Sequence, residues 1–340
     1  MEGEAAVVAA GAKGSKLDSG TRVFSAVTLD DARAAAERLA GVIVRTPLLR
    51  LAADTGASEV YLKLENLQPI GSFKLRGAGN AIALARDRVL AQGVYTASAG
   101  NMAQGVAWCA RELGVPCRVI VPDHAPKAKT DAIKRLGGEV IKVTFDEWWQ
   151  TLVNHGYPGM EGLFIHPFAD MAVMAGNGTI ALEIFEDLTD VDAILVPYGG
   201  GGLSCGIASV VQAVSPRTRV YAVEVETAAP LTASLSAGTP TPVTYTRTFI
   251  DGMGSAAVFE EMWPLAQSLL AGTIVVSVAQ IAAAVKLIAE RSRVVAEGAG
   301  AAAVAAALTG GIDAKRVVCI VSGGNIDMDK LAIILRGEVP

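Results

Sequence analysis

The stretch AILVPYGGGGLSCGIASVVQAVS, residues 193–215, carries no charged side chain. Its length raises the question of a membrane span. Pro197 and the four consecutive glycines Gly199, Gly200, Gly201 and Gly202 would break a spanning helix. It reads instead as strand, loop and helix. The same alternation recurs on both sides. EVYLKLE (59–65), GVYTAS (93–98), CRVIVP (117–122), EVIKVT (139–144), LFIHPF (163–168), RVYAVEVE (219–226) and RVVCIVSG (316–323) are β-rich runs. Helical patterns such as Met102–Leu113, Lys127–Leu136 and Gly178–Leu188 lie between them. Thr28 and Asp31 supply the N-cap and N3 of a helix running to Leu39. Strand–helix alternation over this length predicts an α/β fold with mostly parallel sheets.

A chain of 340 residues that is 51% apolar suits two lobes around a cleft. The formal net charge of -5, with no basic cluster, argues against nucleic acid and anionic lipid as partners. The N-terminus has no basic region before an apolar run, so no signal peptide is expected. Cys109, Cys117, Cys205 and Cys319 form no C-x-x-C pair and read as reduced fillers of a cytoplasmic protein. His124, His155 and His166 show no metal-ligand spacing, so no zinc site is expected.

In open α/β sheets, ligands bind beyond the carboxyl ends of the strands. Four such places carry motifs. GSFKLRGA (71–78) sets Lys74 between Phe73 and Leu75, and a lysine in a partly apolar pocket becomes nucleophilic. SAGNMAQG (98–105) joins a strand to a helix, offering backbone N–H groups to a carboxylate and the Asn101 amide to a phenolate. GGGGLSCG (199–206) lets the backbone wrap a phosphate without Cβ clashes, although it is no P-loop. SGGN (322–325) presents the neutral hydroxyl of Ser322. Taken singly, each also admits a plain reading, as a solvated lysine, a capped turn or a flexible loop.

In this order the motifs resemble the fold-type II pyridoxal-phosphate (PLP) enzymes, in particular the threonine/serine dehydratase and serine racemase family. The resemblance covers roughly residues 25–335, with support from VRTPLLR (44–50), AGNGTIALEI (175–184) and EGAGAAAVAAAL (297–308). It implies a tryptophan synthase β-like fold: two open, twisted, mostly parallel sheets flanked by helices, with PLP in the cleft between lobes. A flexible arm (1–25), a large PLP-binding domain (26–92 and 169–340) and a small closing domain (93–168) are expected, in a homodimer.

The resemblance also assigns roles. Lys74 is expected to carry PLP as an imine and to remove the Cα proton. Phe73 walls the ring, Asn101 bonds the ring hydroxyl, Gly199 to Gly202 hold the phosphate, and Ser322 faces the pyridine nitrogen. Ser98, Ala99, Gly100, Asn101 and Met102 border the substrate carboxylate, and Glu297 matches a glutamate near the ring. The implied activity is loss of water from a 3-hydroxy amino acid, giving a 2-oxo acid and ammonia. A racemase and a non-catalytic amino-acid sensor are the alternatives.

Leu75 and Arg76 after the lysine differ from the Asp-Arg of cysteine and threonine synthases. Ala99 stands where racemases of this type carry an acid–base serine. Met102 replaces the usual histidine. Glu224 matches one ligand of the racemases' divalent-cation site, but Pro230 replaces an aspartate ligand, so a bound cation, monovalent or divalent, is doubtful. No regulatory domain is expected after SGGN. Met102, Trp148 and Trp149 suggest room for a bulky β-substituent, as in phenylserine.

Overall fold

The computed structural model describes residues 22–340 apart from residues 54, 56, 57 and 311. The expected N-terminal arm lies, up to residue 21, outside the described residues. Among the described residues, ten strands form two sheets. They are β1 (Leu48–Arg50), β2 (Glu59–Lys63), β3 (Val94–Ala97), β4 (Cys117–Pro122), β5 (Glu139–Val143), β6 (Leu163–Phe164), β7 (Ala193–Pro197), β8 (Arg219–Val225), β9 (Gly272–Val276) and β10 (Arg316–Ile320). The first sheet has the order β1-β2-β10-β7-β8-β9, and the second β5-β4-β3-β6. Every pairing is parallel except β1 with β2 at the edge.

Parallel strands covered on both faces need continuous apolar runs. All five residues of β7 are buried accordingly. One face of the larger sheet packs on the alanine-rich helix Gly298–Leu308 and the helix Val278–Ser292. The other packs on the helices Met171–Asp187 and Gly202–Val214. The smaller sheet packs on the helix Asn101–Leu113.

Most expected elements fall where the sequence puts them. The first helix, Leu29–Leu39, starts on the Thr28–Asp31 capping box. The departures have local causes. LFIHPF is strand only over Leu163–Phe164, because the chain turns at Pro167, which has no N–H to donate. The helix expected from Gly178 begins at Met171, where the Asp170 carboxylate caps Ala172 and Val173 N–H. Strands β1 and β9 have no counterpart among the expected runs; both lie at sheet edges.

A buried ion cluster fixes the helix Lys74–Leu84. The Arg76 guanidinium, fully buried, donates to Glu65 Oε1 and Oε2 at 2.8 Å and to Glu183 Oε1 at 2.7 Å. Lys63 Nζ completes it, reaching Glu183 at 2.5 Å and the Thr46 carbonyl at 2.6 Å. Two cations and two anions thus tie the first turn after Lys74 to the helix Met171–Asp187. A buried charge is tolerated only when paired in this way.

All four cysteines are free and buried, and burial pushes the thiols of Cys109, Cys117 and Cys205 up to about 12. Among the described residues no helix is long and apolar enough to cross a membrane.

Candidate active site

The four motifs, the first opening at Gly71 and the last closing at Asn325, meet at the carboxyl ends of β3, β7 and β10. Phe73 N–H donates to the Ser322 carbonyl at 3.0 Å and Gly324 N–H to the Gly71 carbonyl at 2.9 Å. The lysine segment is thereby stitched to SGGN. Asn325 Nδ2 donates to the Ile70 carbonyl and to Asn101 Oδ1, both at 2.8 Å. Asn101 Nδ2 in turn donates to Glu297 Oε1 at 2.8 Å.

Lys74 opens its helix and its side chain is half-buried. Burial lowers its pKa to about 8, with the charge of Glu297 pulling the other way. Nζ donates to the Pro167 carbonyl at 2.6 Å and lies 5.1 Å from the centre of the Phe73 ring. Glu297 is the opposite case. Burial, then the charge of Asp251, raises it to about 7, against the Asn101 hydrogen bond. At neutral pH the site therefore holds an amine and a carboxyl that both titrate close by.

The glycine loop is packed without slack. A Cβ on Gly200 would fall inside the ring of Phe168, and one on Gly202 would strike the Phe168 backbone. Gly201 has φ +88°, in the left-handed region. The following helix, Gly202–Val214, has no side-chain cap. Among the described residues, no N–H from Gly199 to Leu203 has a backbone acceptor. A row of free donors at a helix N-terminus can receive a phosphate. A desolvated amine that condenses with an aldehyde, beside such a row, fits PLP.

Ser98 and Gly100 lie at the entrance to the helix Asn101–Leu113, where Ser98 Oγ accepts from Gly100 N–H at 3.1 Å. Ser322 is buried beside Phe73. Met102 is different. Expected on the pocket wall, it is 1% exposed and packs with Leu75, Val106 and Val121 in the apolar cluster of the smaller sheet. Glu224 is likewise fully engaged: it accepts from Leu231 N–H and Thr232 N–H at 2.8 Å and from Thr232 Oγ1 at 2.7 Å. Pro230 starts that helix, so a helix N-terminus supplies the donors facing this carboxylate.

Sequence reasoning missed Pro167, Phe168 and Asn325. The first two stand inside a run that reads as strand, and Asn325 closes a motif in which only Ser322 has an assigned role. Trp148 and Trp149 lie on the helix Phe145–Val153. Their rings continue a half-buried row through Phe259 to Phe168, with successive centroids 6.4, 5.7 and 5.2 Å apart.

Comparison with known proteins agrees with this geometry. The profile of the pyridoxal-phosphate dependent enzyme family matches residues 39–323. An L-threonine ammonia-lyase of Thermotoga maritima is 38% identical over 319 residues, 92% of this chain and 79% of the relative. The catabolic L-threonine dehydratase of Escherichia coli K12 is 38% identical over 316 residues, 91% and 96% of the two chains. Among solved structures, maize serine racemase superposes with a TM-score of 0.83 at 31% identity, covering 91% of this chain and 96% of its own. The processed form of threonine deaminase isoform 2 from Solanum lycopersicum does so with 0.78 at 34%, covering 93% and 91%. The family match and these similarities lead to one statement: the chain belongs to the pyridoxal-phosphate dependent enzymes, has their fold-type II architecture and uses PLP as its cofactor.

Proposed function

We propose that this enzyme is a carbon–oxygen lyase that removes water from a 3-hydroxy amino acid of the threonine/serine type, releasing a 2-oxo acid and ammonia. PLP, when bound, supplies the electron sink that acidifies Cα–H and allows the β-hydroxyl to leave. The remaining work falls to the chain. Lys74, with an amine pKa of about 8, reaches the neutral form that accepts the Cα proton far more readily than an ordinary lysine. The Pro167 carbonyl takes one of its N–H bonds and so aims the lone pair. The N–H groups at Ser98–Asn101 receive the substrate carboxylate. The smaller sheet, with residues 93–168 as its unit, closes over the substrate and excludes water. The observation carrying this reading is the desolvated Lys74 beside a cradle of free N–H donors. The threonine ammonia-lyase relatives support it.

The finer reading concerns the β-substituent. The row Trp148, Trp149, Phe259 and Phe168 gives an apolar wall reaching the segment that holds Lys74. Full burial of a phenyl in place of a methyl contributes roughly 2–4 kcal/mol, or about 30- to 1000-fold in kcat/KM. A 3-aryl serine is therefore taken at least as well as threonine. Assay of 2-oxo acid release from serine, threonine and threo-phenylserine tests both levels. Turnover of threonine without phenylserine ends the finer reading. No turnover of any of the three ends the dehydratase reading.

A further inference from the structure

Lys74 is held by a carbonyl whose own position needs an explanation. Pro167 cannot donate a hydrogen bond, and its carbonyl belongs to a sharp turn between β6 and the helix Met171–Asp187. The turn is closed by the side chain before it. His166 Nδ1 accepts from Phe168 N–H at 3.3 Å and Ala169 N–H at 2.8 Å. An aspartate or asparagine oxygen commonly closes such a turn; here an imidazole nitrogen does. Thr96 Oγ1 holds the residue before it, donating to the Ile165 carbonyl at 2.8 Å.

Two N–H groups pointing at Nδ1 leave no room for a proton there. The neutral ring must carry its proton on Nε2. That atom is buried and, among the described residues, has no hydrogen-bond partner. Burial and the positive neighbours hold the ring neutral, well below the usual histidine range. The His155 ring stacks on it at 4.5 Å, and His155 Nε2 pairs with Glu261 Oε1 at 2.5 Å.

The nitrogens of His155 and His166 and a Glu261 oxygen lie within 4.8 Å of one another, the donor set of a His-His-Glu metal site. The tautomer argues against that use. A metal on His166 Nε2 needs the lone pair that the proton occupies, and ligating histidines donate through the other nitrogen. Here the other nitrogen accepts. A metal would therefore dismantle the turn that holds Lys74.

We propose that His166 is a positioning residue for Lys74: as a neutral Nε2–H tautomer it builds the turn that presents the Pro167 carbonyl to the lysine amine. The inference rests on Lys74 as the reacting amine and is independent of which hydroxy amino acid is the substrate. Glu297 is the charged group whose field acts on Lys74, raising its pKa against the effect of burial.

The test uses the PLP-loaded full-length protein and two variants. His166→Asn keeps an acceptor oxygen, whereas His166→Phe keeps an aromatic ring but no acceptor. The expected loss in kcat for His166→Phe is about 100-fold at nearly unchanged KM, as for a misplaced reacting group. The rising limb of its kcat–pH profile should move below about 8, because the carbonyl that favours the charged amine is lost while the burial that lowers it remains. His166→Asn should keep the wild-type midpoint and lose only about threefold. Equal losses in both variants with an unmoved midpoint would mean that the ring only fills space. Nitrogen NMR of the wild-type protein reads the tautomer directly and needs no variant. A proton on Nδ1 overturns the proposal, as does stoichiometric zinc binding that His155→Ala abolishes. A protein with the visible PLP band and the Nε2–H tautomer, but no 2-oxo acid from any hydroxy amino acid, would refute the dehydratase reading and leave this inference standing.

Discussion

Asn325 Nδ2 donates to Asn101 Oδ1 at 2.8 Å, and this contact decides which end of the Asn101 amide faces Glu297. Without it, the amide can turn its oxygen to the carboxyl. Asn325→Ala should lower kcat/KM about tenfold, the worth of one well-placed hydrogen bond, with the PLP band retained. Steady-state assay of 2-oxo acid release checks this. Kinetics equal to wild type would mean that Asn101 is oriented by Glu297 alone.

The raised pKa of Glu297 has a consequence for stability. Its folded value of about 7 exceeds the ordinary 4.5, so the folded state holds the proton more tightly. The stabilisation is complete below about pH 4.5 and is lost as pH rises through about 7, amounting to about 3 kcal/mol at most. Glu297→Gln keeps a neutral group there. Urea unfolding at pH 5 and pH 7.5 should show a smaller drop for this variant than for wild type. Equal drops would place the titration elsewhere.

Glu224 already has three donors from Leu231 and Thr232. Chelators should therefore leave the rate unchanged, and added magnesium should not raise it. Glu224→Ala should instead destabilise the protein by about 2–3 kcal/mol, because those donors lose their acceptor. A rate lost on chelation and restored by magnesium would contradict this.

Ala99 offers no group that could return a proton to Cα. Serine or threonine recovered after partial turnover should keep its configuration, and Ala99→Ser should raise Cα exchange in deuterated water. Chiral analysis reads both. Substantial epimer from the wild-type enzyme would shift the assignment toward the racemases.

Where a feature is local, the sequence discloses it. CRVIVP coincides with β4 because a short apolar run bounded by turns in an α/β chain has one place to go. Thr28 and Asp31 start a helix because a capping box needs only near neighbours in the chain. The motifs at residues 98–105 and 199–206 announce themselves because glycine and asparagine mark strand-to-helix turns. The roles of Pro167 and His166 were illegible for the opposite reason. The Lys74–Pro167 contact spans 93 residues, and nothing in LFIHPF distinguishes a strand from a strand that stops for a turn. Met102 shows the limit within a motif: its position is at the helix entrance as expected, but the face it occupies is decided by packing against Leu75 and Val121.

Pro167 and Phe168 are neighbours in the chain, and they serve opposite ends of the site. The carbonyl of one holds the reacting amine; the ring of the other backs the glycine loop. The distance from amine to loop is thus a ruler one peptide unit long. Neither end can shift without carrying the other, so the site has a fixed gauge. A single residue inserted between Pro167 and Phe168 would lengthen that gauge and leave both anchors intact but out of step.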